Sequence, residues 1–236
     1  MSTFQINQSL QENIVRVRAE IAAAAVNCGR LPESVSLIAA TKYVDAQLTR
    51  QVAAAGAFDL GESRPQEIWS KAPELSDLPI RWHLIGHLQR NKVRRTLPLV
   101  SLIHSVDSLR LLEELQSEAR RIQRTVPLLL EVNISGDRNK TGFSAAEIEG
   151  AILAAAGHTY LKVQGLMSMA GLDTDAATAR TQFAAVRQLR DQLQRNLPPN
   201  VLLTELSMGM SGDFREAIAE GATIVRIGSS LFEGVI

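Results

Sequence analysis

The sequence predicts one TIM-like (β/α)8 barrel of the α/β class, preceded by an extra N-terminal helix. Three observations carry this expectation. From residue 35 onward, short apolar runs alternate with helix-length amphipathic stretches, eight times over. Most of the short runs are continuously apolar, as strands covered on both faces are. The 236 residues show no linker-like shift in composition and no low-complexity segment, so 1–236 reads as a single domain.

The elements follow in order. A helix at about 7–29 comes first, with Arg16, Arg18 and Glu20 ahead of the small-residue run 21–26. Strands are expected at 35–40, 58–60, 82–85, 100–104, 128–134, 161–166, 201–206 and 224–227, where Val, Ile and Leu concentrate. Between the fourth and fifth, Leu109, Leu112, Leu115, Ala119 and Ile122 recur at helical spacing over 107–124, with Asp107 or Ser108 placed to cap. Ala179, Phe183, Val186, Leu189 and Leu193 repeat the plan over 175–196. Ser144 and Glu147 have capping-box spacing before a shorter helix. Short helices are expected at 46–55 and 213–220, the second ending at Gly221. An open doubly wound sheet is compatible with the same alternation, but eight units at this length favour closure.

Composition narrows the function classes. Lys+Arg and Asp+Glu balance at 25 each, so no global field draws the chain to nucleic acid or an acidic membrane. Arg90, Lys92, Arg94 and Arg95 form a basic cluster that reads as a solvated helix face. Cys28 is the only cysteine, which removes intrachain disulfides and cysteine-based metal sites. No stretch reaches the length of a membrane span and residues 1–10 lack a signal-peptide plan, so a cytoplasmic protein is expected.

Several motifs fail on inspection. The run from Gly136 to Gly142 has Asn139 where a phosphate-binding Walker loop needs Gly. The first strand runs into Thr41-Lys42-Tyr43 and not a Gly-x-Gly turn. His83, His87, His104 and His158 have no metal-ligand spacing. His83 reads as a hydrogen-bonded core residue, and His87, just past its strand, as better placed for a site.

In a barrel the functional groups gather where strands end at the carboxyl face. The first strand there delivers Lys42, and the fifth Asn133 and Ser135. The seventh delivers Ser207 through Asp213, and the eighth Arg226 through Ser230. The last two loops are rich in Gly and Ser, whose N–H and hydroxyl groups can cradle a phosphate dianion. A lysine held in a poorly solvated place has a lowered amine pKa and can condense with an aldehyde. Lysine opposite a phosphate cradle is the arrangement that pyridoxal 5′-phosphate (PLP) requires. Arg226 lies two residues before Gly228 and shares its side of the strand. It reads either as an ion-pair partner of a strand-end carboxylate or as a partner for the cofactor's pyridine nitrogen, where a permanent charge disfavours protonation of the ring.

The sequence resembles the pyridoxal phosphate homeostasis proteins, single-domain relatives of the N-terminal barrel of alanine racemase. The resemblance runs from about Leu37 to Phe232. It rests on Ala40-Thr41-Lys42, the 61–67 block from Gly61 to Glu67, the 82–92 block that opens Trp82-His83-Leu84-Ile85-Gly86, and Gly165-Leu166-Met167. Leu206-Ser207-Met208-Gly209-Met210-Ser211 and Val225-Arg226-Ile227-Gly228-Ser229 complete it. It implies a Schiff-base lysine at Lys42, phosphate-binding positions at Ser211, Gly228 and Ser229, a pyridine-nitrogen arginine at Arg226, and support for that arginine from Ser207. It also implies a role in vitamin B6 and amino-acid homeostasis without convincing catalysis, with PLP-dependent apoenzymes as recipients of the cofactor. Two departures stand out: Ser63 occupies a position that is usually Asn, and 232–236 lacks the family's usual basic ending.

The leading reading is therefore a non-catalytic PLP holder, expected to be monomeric. A racemase needs acid and base on both faces of the substrate carbon. Only Tyr43 and Tyr160 are present to supply the second, and Tyr43, if strand-like, points away from Lys42. A small PLP-dependent racemase or lyase using Lys42 alone is the alternative. A barrel for another phosphorylated metabolite is the third.

Overall fold

The computed structural model describes residues 3–134, 141–171, 174–199 and 201–236. Eight parallel strands close into a barrel in sequence order: β1 (Ser36–Ala40), β2 (Asp59–Glu62), β3 (Arg81–Leu84), β4 (Leu102–Val106), β5 (Val126–Glu131), β6 (Leu161–Met167), β7 (Glu205–Ser207) and β8 (Ile224–Ile227). Closure joins β1 to β8, with Ala39 opposite Ile227. The helices are α1 (Thr3–Asn27), α2 (Ala46–Ala54), α3 (Pro65–Glu74), α4 (Val93–Thr96), α5 (Leu109–Arg121), α6 (Ile148–Ala156), α7 (Ala176–Asn196) and α8 (Phe214–Ala219). The expected barrel and its extra N-terminal helix are both present, and the open sheet is not.

Two layers of apolar packing hold the assembly. The main core lies between the strands and the surrounding helices, and includes Leu10, Ile14, Val17 and Ile21 from α1. A smaller cluster of Ile38, Leu102, Leu129, Met167 and Ile224 fills part of the barrel interior. Burying a side chain of this size is worth about 1.5–3 kcal/mol, so α1 contributes heavily to the wall it covers. Asp45 and Asp175 cap α2 and α7 by accepting from Leu48 N at 2.8 Å and Thr178 N at 2.7 Å.

Several expected boundaries move. β7 begins at Glu205 and not at 201, because Gln194 of α7 takes the backbone of Val201 and Leu203 at 2.9 and 2.8 Å and so replaces a ladder there. β4 lies two residues later than expected and β5 ends at Glu131, after which Val132 makes only an isolated bridge to Phe143. The Ser144–Glu147 capping box forms by half: the Glu147 carboxylate accepts from Ser144 N at 2.9 Å, but also takes the Ser144 hydroxyl at 2.7 Å, and α6 starts at Ile148. Ser108 takes the cap position of α5 without a side-chain bond, and the Asp107 carboxylate meets His87. Ser135 and the 136–140 part of the rejected phosphate loop lie outside the described residues.

Candidate functional site

The site is built at the carboxyl ends of β1, β7 and β8. β7 ends at Ser207, and the chain turns through Gly209, whose φ of +90° suits glycine. A Cβ there would come within 2.6 Å of the Ala217 Cβ and 2.9 Å of the Phe214 Cα, so the loop lies hard against α8. That close approach carries Ser211 over the end of β8. The Ser211 hydroxyl oxygen accepts from Gly228 N at 3.3 Å and Ser230 N at 3.5 Å. A hydroxyl and two backbone N–H groups thus converge on one point, the donor set a phosphate dianion takes. Ser229 lies within the same turn and, with Ser230, Tyr43, Phe232 and Glu233, lines a cavity of about 410 Å³.

The turn is braced from outside the barrel. Asn13 of α1 donates to Leu231 O at 3.1 Å and Glu233 O at 2.9 Å, and Arg16 donates to Ser230 O at 3.1 Å. These residues gave no signal in the sequence, since a polar side chain on a long amphipathic helix reads as a solvated face.

Arg226 points into the barrel and is 4% exposed. It donates to Ser207 O at 2.7 Å, Ser207 Oγ at 2.6 Å and Ser168 O at 3.0 Å. Its hydrogen-bond partners among the described residues are all neutral oxygens, so of the two readings the ion pair with a strand-end carboxylate is not what forms. Burial pushes its pKa down to about 10, against the opposing fields of Asp213 and Glu131, and it remains a cation at neutral pH. The expected support from Ser207 is present; the part played by the Ser168 carbonyl was not foreseen.

Behind Ser207 lies a second pair. His104 Nδ1 is 2.8 Å from Ser207 Oγ, and His104 Nε2 is 3.0 Å from His83 Nδ1. His83 Nε2 reaches Asp59 Oδ1 at 3.2 Å, which fits the core role expected for His83. Burial, and then the fields of His83 and Arg226, hold His104 well below the usual histidine range, so it is neutral. The sequence places His104 at the end of the fourth strand, but its bond to Ser207 was not foreseen.

Lys42 departs from expectation. Residues 41–44 form a turn, with Val44 N on Thr41 O at 3.2 Å, and Lys42 is exposed with its Nζ 4.7 Å from the centre of the Tyr43 ring. The expected poorly solvated amine is not found, and Tyr43 lies under the ammonium and does not point away. The turn is what does this, because it breaks the alternation that a continued strand would impose. Lys42 still stands beside the cradle: a Cβ on Gly228 would be 3.4 Å from Ala40 O, two residues before the lysine.

The desolvated lysine is Lys71 of α3, at 3% exposure. It donates to Glu62 Oε1 at 2.7 Å and Thr41 O at 2.9 Å, and Thr41 Oγ1 also donates to Glu62 at 2.7 Å. Burial raises the Glu62 pKa against these bonds. The triad fixes the carbonyl that begins the Lys42 turn.

Across the mouth, His87 meets Asp107 at 2.7 Å, and Glu131, raised by burial, accepts from Thr141 at 2.8 Å. The basic cluster lies on the surface as expected, with Arg95 stacked 4.4 Å from the Trp69 ring centre. No group of three or more metal-ligating side chains occurs among the described residues, and no helix there is long and apolar enough to cross a membrane.

Comparison with known proteins shows what the whole chain is similar to. The family model described as "Alanine racemase, N-terminal domain" matches residues 9–234. The pyridoxal phosphate homeostasis protein of Pseudomonas aeruginosa is 38% identical over 224 residues, 95% of each chain. That of Aquifex aeolicus is 39% identical over 221 residues, 94% of this chain and 96% of the other. Among solved structures, PipY of Synechococcus elongatus with PLP bound matches with a TM-score of 0.84 and 38% identity, over 94% of this chain and 99% of that one.

Proposed function

We propose that this chain, which belongs to the alanine racemase N-terminal-domain family, holds PLP at the ends of β1, β7 and β8 and serves PLP homeostasis. The observation that carries the reading is the convergence of Ser211 Oγ with the N–H groups of Gly228 and Ser230, beside a buried arginine. Ser211, Gly228 and Ser229 would take the phosphate, Arg226 the pyridine nitrogen, and Ser207 would keep Arg226 aimed. The cofactor, when bound, supplies an aldehyde for a lysine amine and a conjugated ring as an electron sink. Lys42 offers the amine, and its flexible stem lets it swing from the Tyr43 ring toward the cradle. An arginine that stays charged keeps a proton off the ring nitrogen and blunts the electron sink. The name carried by the relatives, homeostasis protein, agrees with holding more than with turnover.

The tyrosines support the non-catalytic reading. Tyr43 lies on the same side as Lys42, and Tyr160, at the start of β6, bonds to Gln123 at 2.8 Å at the other end of the barrel. Neither faces Lys42 across the mouth as a second acid would. We read the protein as a cytoplasmic monomer whose partners, besides PLP, are PLP-dependent apoenzymes. Borohydride reduction of the PLP-treated protein, followed by peptide mass mapping, tests the site. The expected adduct is on Lys42 and is lost in Lys42→Ala, with Ser211→Ala weakening cofactor retention about tenfold, near 1.4 kcal/mol. An adduct on Lys71, or spread over surface lysines, would overturn it.

A further inference from the structure

Four side chains join Arg226 to the opposite end of the barrel, and with both rings neutral the atoms at its two ends set a single proton order. A guanidinium nitrogen can only donate, so Ser207 Oγ accepts from Arg226. An ionised carboxylate can only accept, so the ring nitrogen facing Asp59 is His83 Nε2–H. A neutral His83 then has Nδ1 as acceptor, and the bond at 3.0 Å requires His104 Nε2–H. His104 Nδ1 becomes the acceptor for the Ser207 hydroxyl proton at 2.8 Å. All bonds along the chain run the same way, from Arg226 toward Asp59, with no clash of protons.

The reverse order fails on counting. It needs a second proton on His83 to keep the Asp59 bond, and it makes His104 Nδ1 a donor to Ser207 Oγ. The Ser207 proton would lose its acceptor on a residue that is 0% exposed.

We infer that His104 and His83, each protonated on Nε2, are positioning residues that order Ser207 and Arg226 and couple the arginine to the Asp59 carboxylate at the far end of the barrel. Donor-to-acceptor dipoles laid head to tail polarise one another. They supply the buried cation with a negative end that no carboxylate contact provides. Asp59 sits at the start of β2, paired outside with Arg81, and Arg226 lies near the end of β8, so the coupling crosses the barrel interior. The proton order stands on its own; its effect on the cofactor rests on the pyridine-nitrogen role proposed for Arg226.

The test has two arms. In the protein labelled with ¹⁵N-histidine and free of PLP, two-bond ¹H–¹⁵N correlation at neutral pH should show both His83 and His104 as Nε2–H tautomers, assigned by loss of signal in His83→Gln and His104→Gln. An Nδ1–H tautomer or a cationic ring at either position would overturn the proton order. In the second arm, PLP is added to His104→Phe, His104→Asn and Asp59→Asn. Retention should fall about tenfold, with a shifted visible spectrum, in His104→Phe, and His104→Asn, whose amide oxygen can take the Ser207 proton, should recover part of it. Asp59→Asn should change the spectrum although it lies at the opposite end of the barrel. A folded Asp59→Asn with the unaltered spectrum and affinity would overturn the coupling. If the unsubstituted protein takes no PLP, the holder reading fails, and the tautomers still decide the proton order.

Discussion

At the scale of single residues, this protein surrounds buried cations with oxygen acceptors. Arg226 is surrounded by two carbonyls and a hydroxyl, and Lys71 by a carbonyl and one carboxylate. Asp59 gives a measurable consequence. Burial raises its pKa, but bonds from His83 and Arg81 more than offset this and bring it from 3.8 to about 2. A folded-state pKa below the unfolded one means that folding favours the ionised form. That contribution is complete above about pH 4 and is lost as pH falls through about 2. The thermal midpoint of Asp59→Asn should therefore lie below that of the unsubstituted protein at neutral pH, and the gap should close on acidification through this window. A gap independent of pH would show that the carboxylate's charge is not what matters. The residue scale is also where sequence reasoning was weakest. Lys42 was legible as a strand-end lysine, but its exposure was not, because the turn over 41–44 breaks the alternation a strand would impose.

At the scale of elements, the helix added before the barrel has a job beyond packing. α1 buries Leu10, Ile14, Val17 and Ile21, and the next face of the same helix places Asn13 and Arg16 on the turn that carries Ser229 and Ser230. The helix was visible from its periodicity; its grip on a segment some 218 residues later was not. Asn13→Ala removes two bonds to the turn, each worth about 1 kcal/mol. We expect a modest drop in melting temperature together with a several-fold loss of PLP retention, read by equilibrium dialysis. Loss of stability with unchanged retention would confine α1 to packing. β7 shows the other side of the argument: its apolar run suggested six residues, but three pair, since a glutamine from α7 satisfies the backbone before the ladder begins.

At the scale of the molecule, Lys42 lies exposed to water at the mouth of the barrel. Holding and releasing a cofactor suit an open mouth, while control of a reactive intermediate needs water excluded. The PLP-loaded protein should therefore exchange the α-hydrogen of added amino acids in heavy water no faster than free PLP and a lysine analogue do, followed by NMR. Enzyme-like exchange would restore the racemase or lyase alternative, with His87 and Asp107 across the mouth as the first residues to substitute.

Alternating apolar runs and helical periodicity determined the barrel, because which faces must leave water is written in the order of the side chains. The Gly–Ser loops and the lysine at strand ends pointed to the proposed cradle, because a barrel gathers its loops at the carboxyl ends of its strands. What the chain order could not contain is which distant polar atoms meet. The pairing of Arg226 with Ser168, the path through His104 and His83 to Asp59, and the bracing of the cradle by Asn13 join residues far apart in sequence. Only closing β8 onto β1 brings such groups within hydrogen-bonding distance, and burial then obliges each to find a partner.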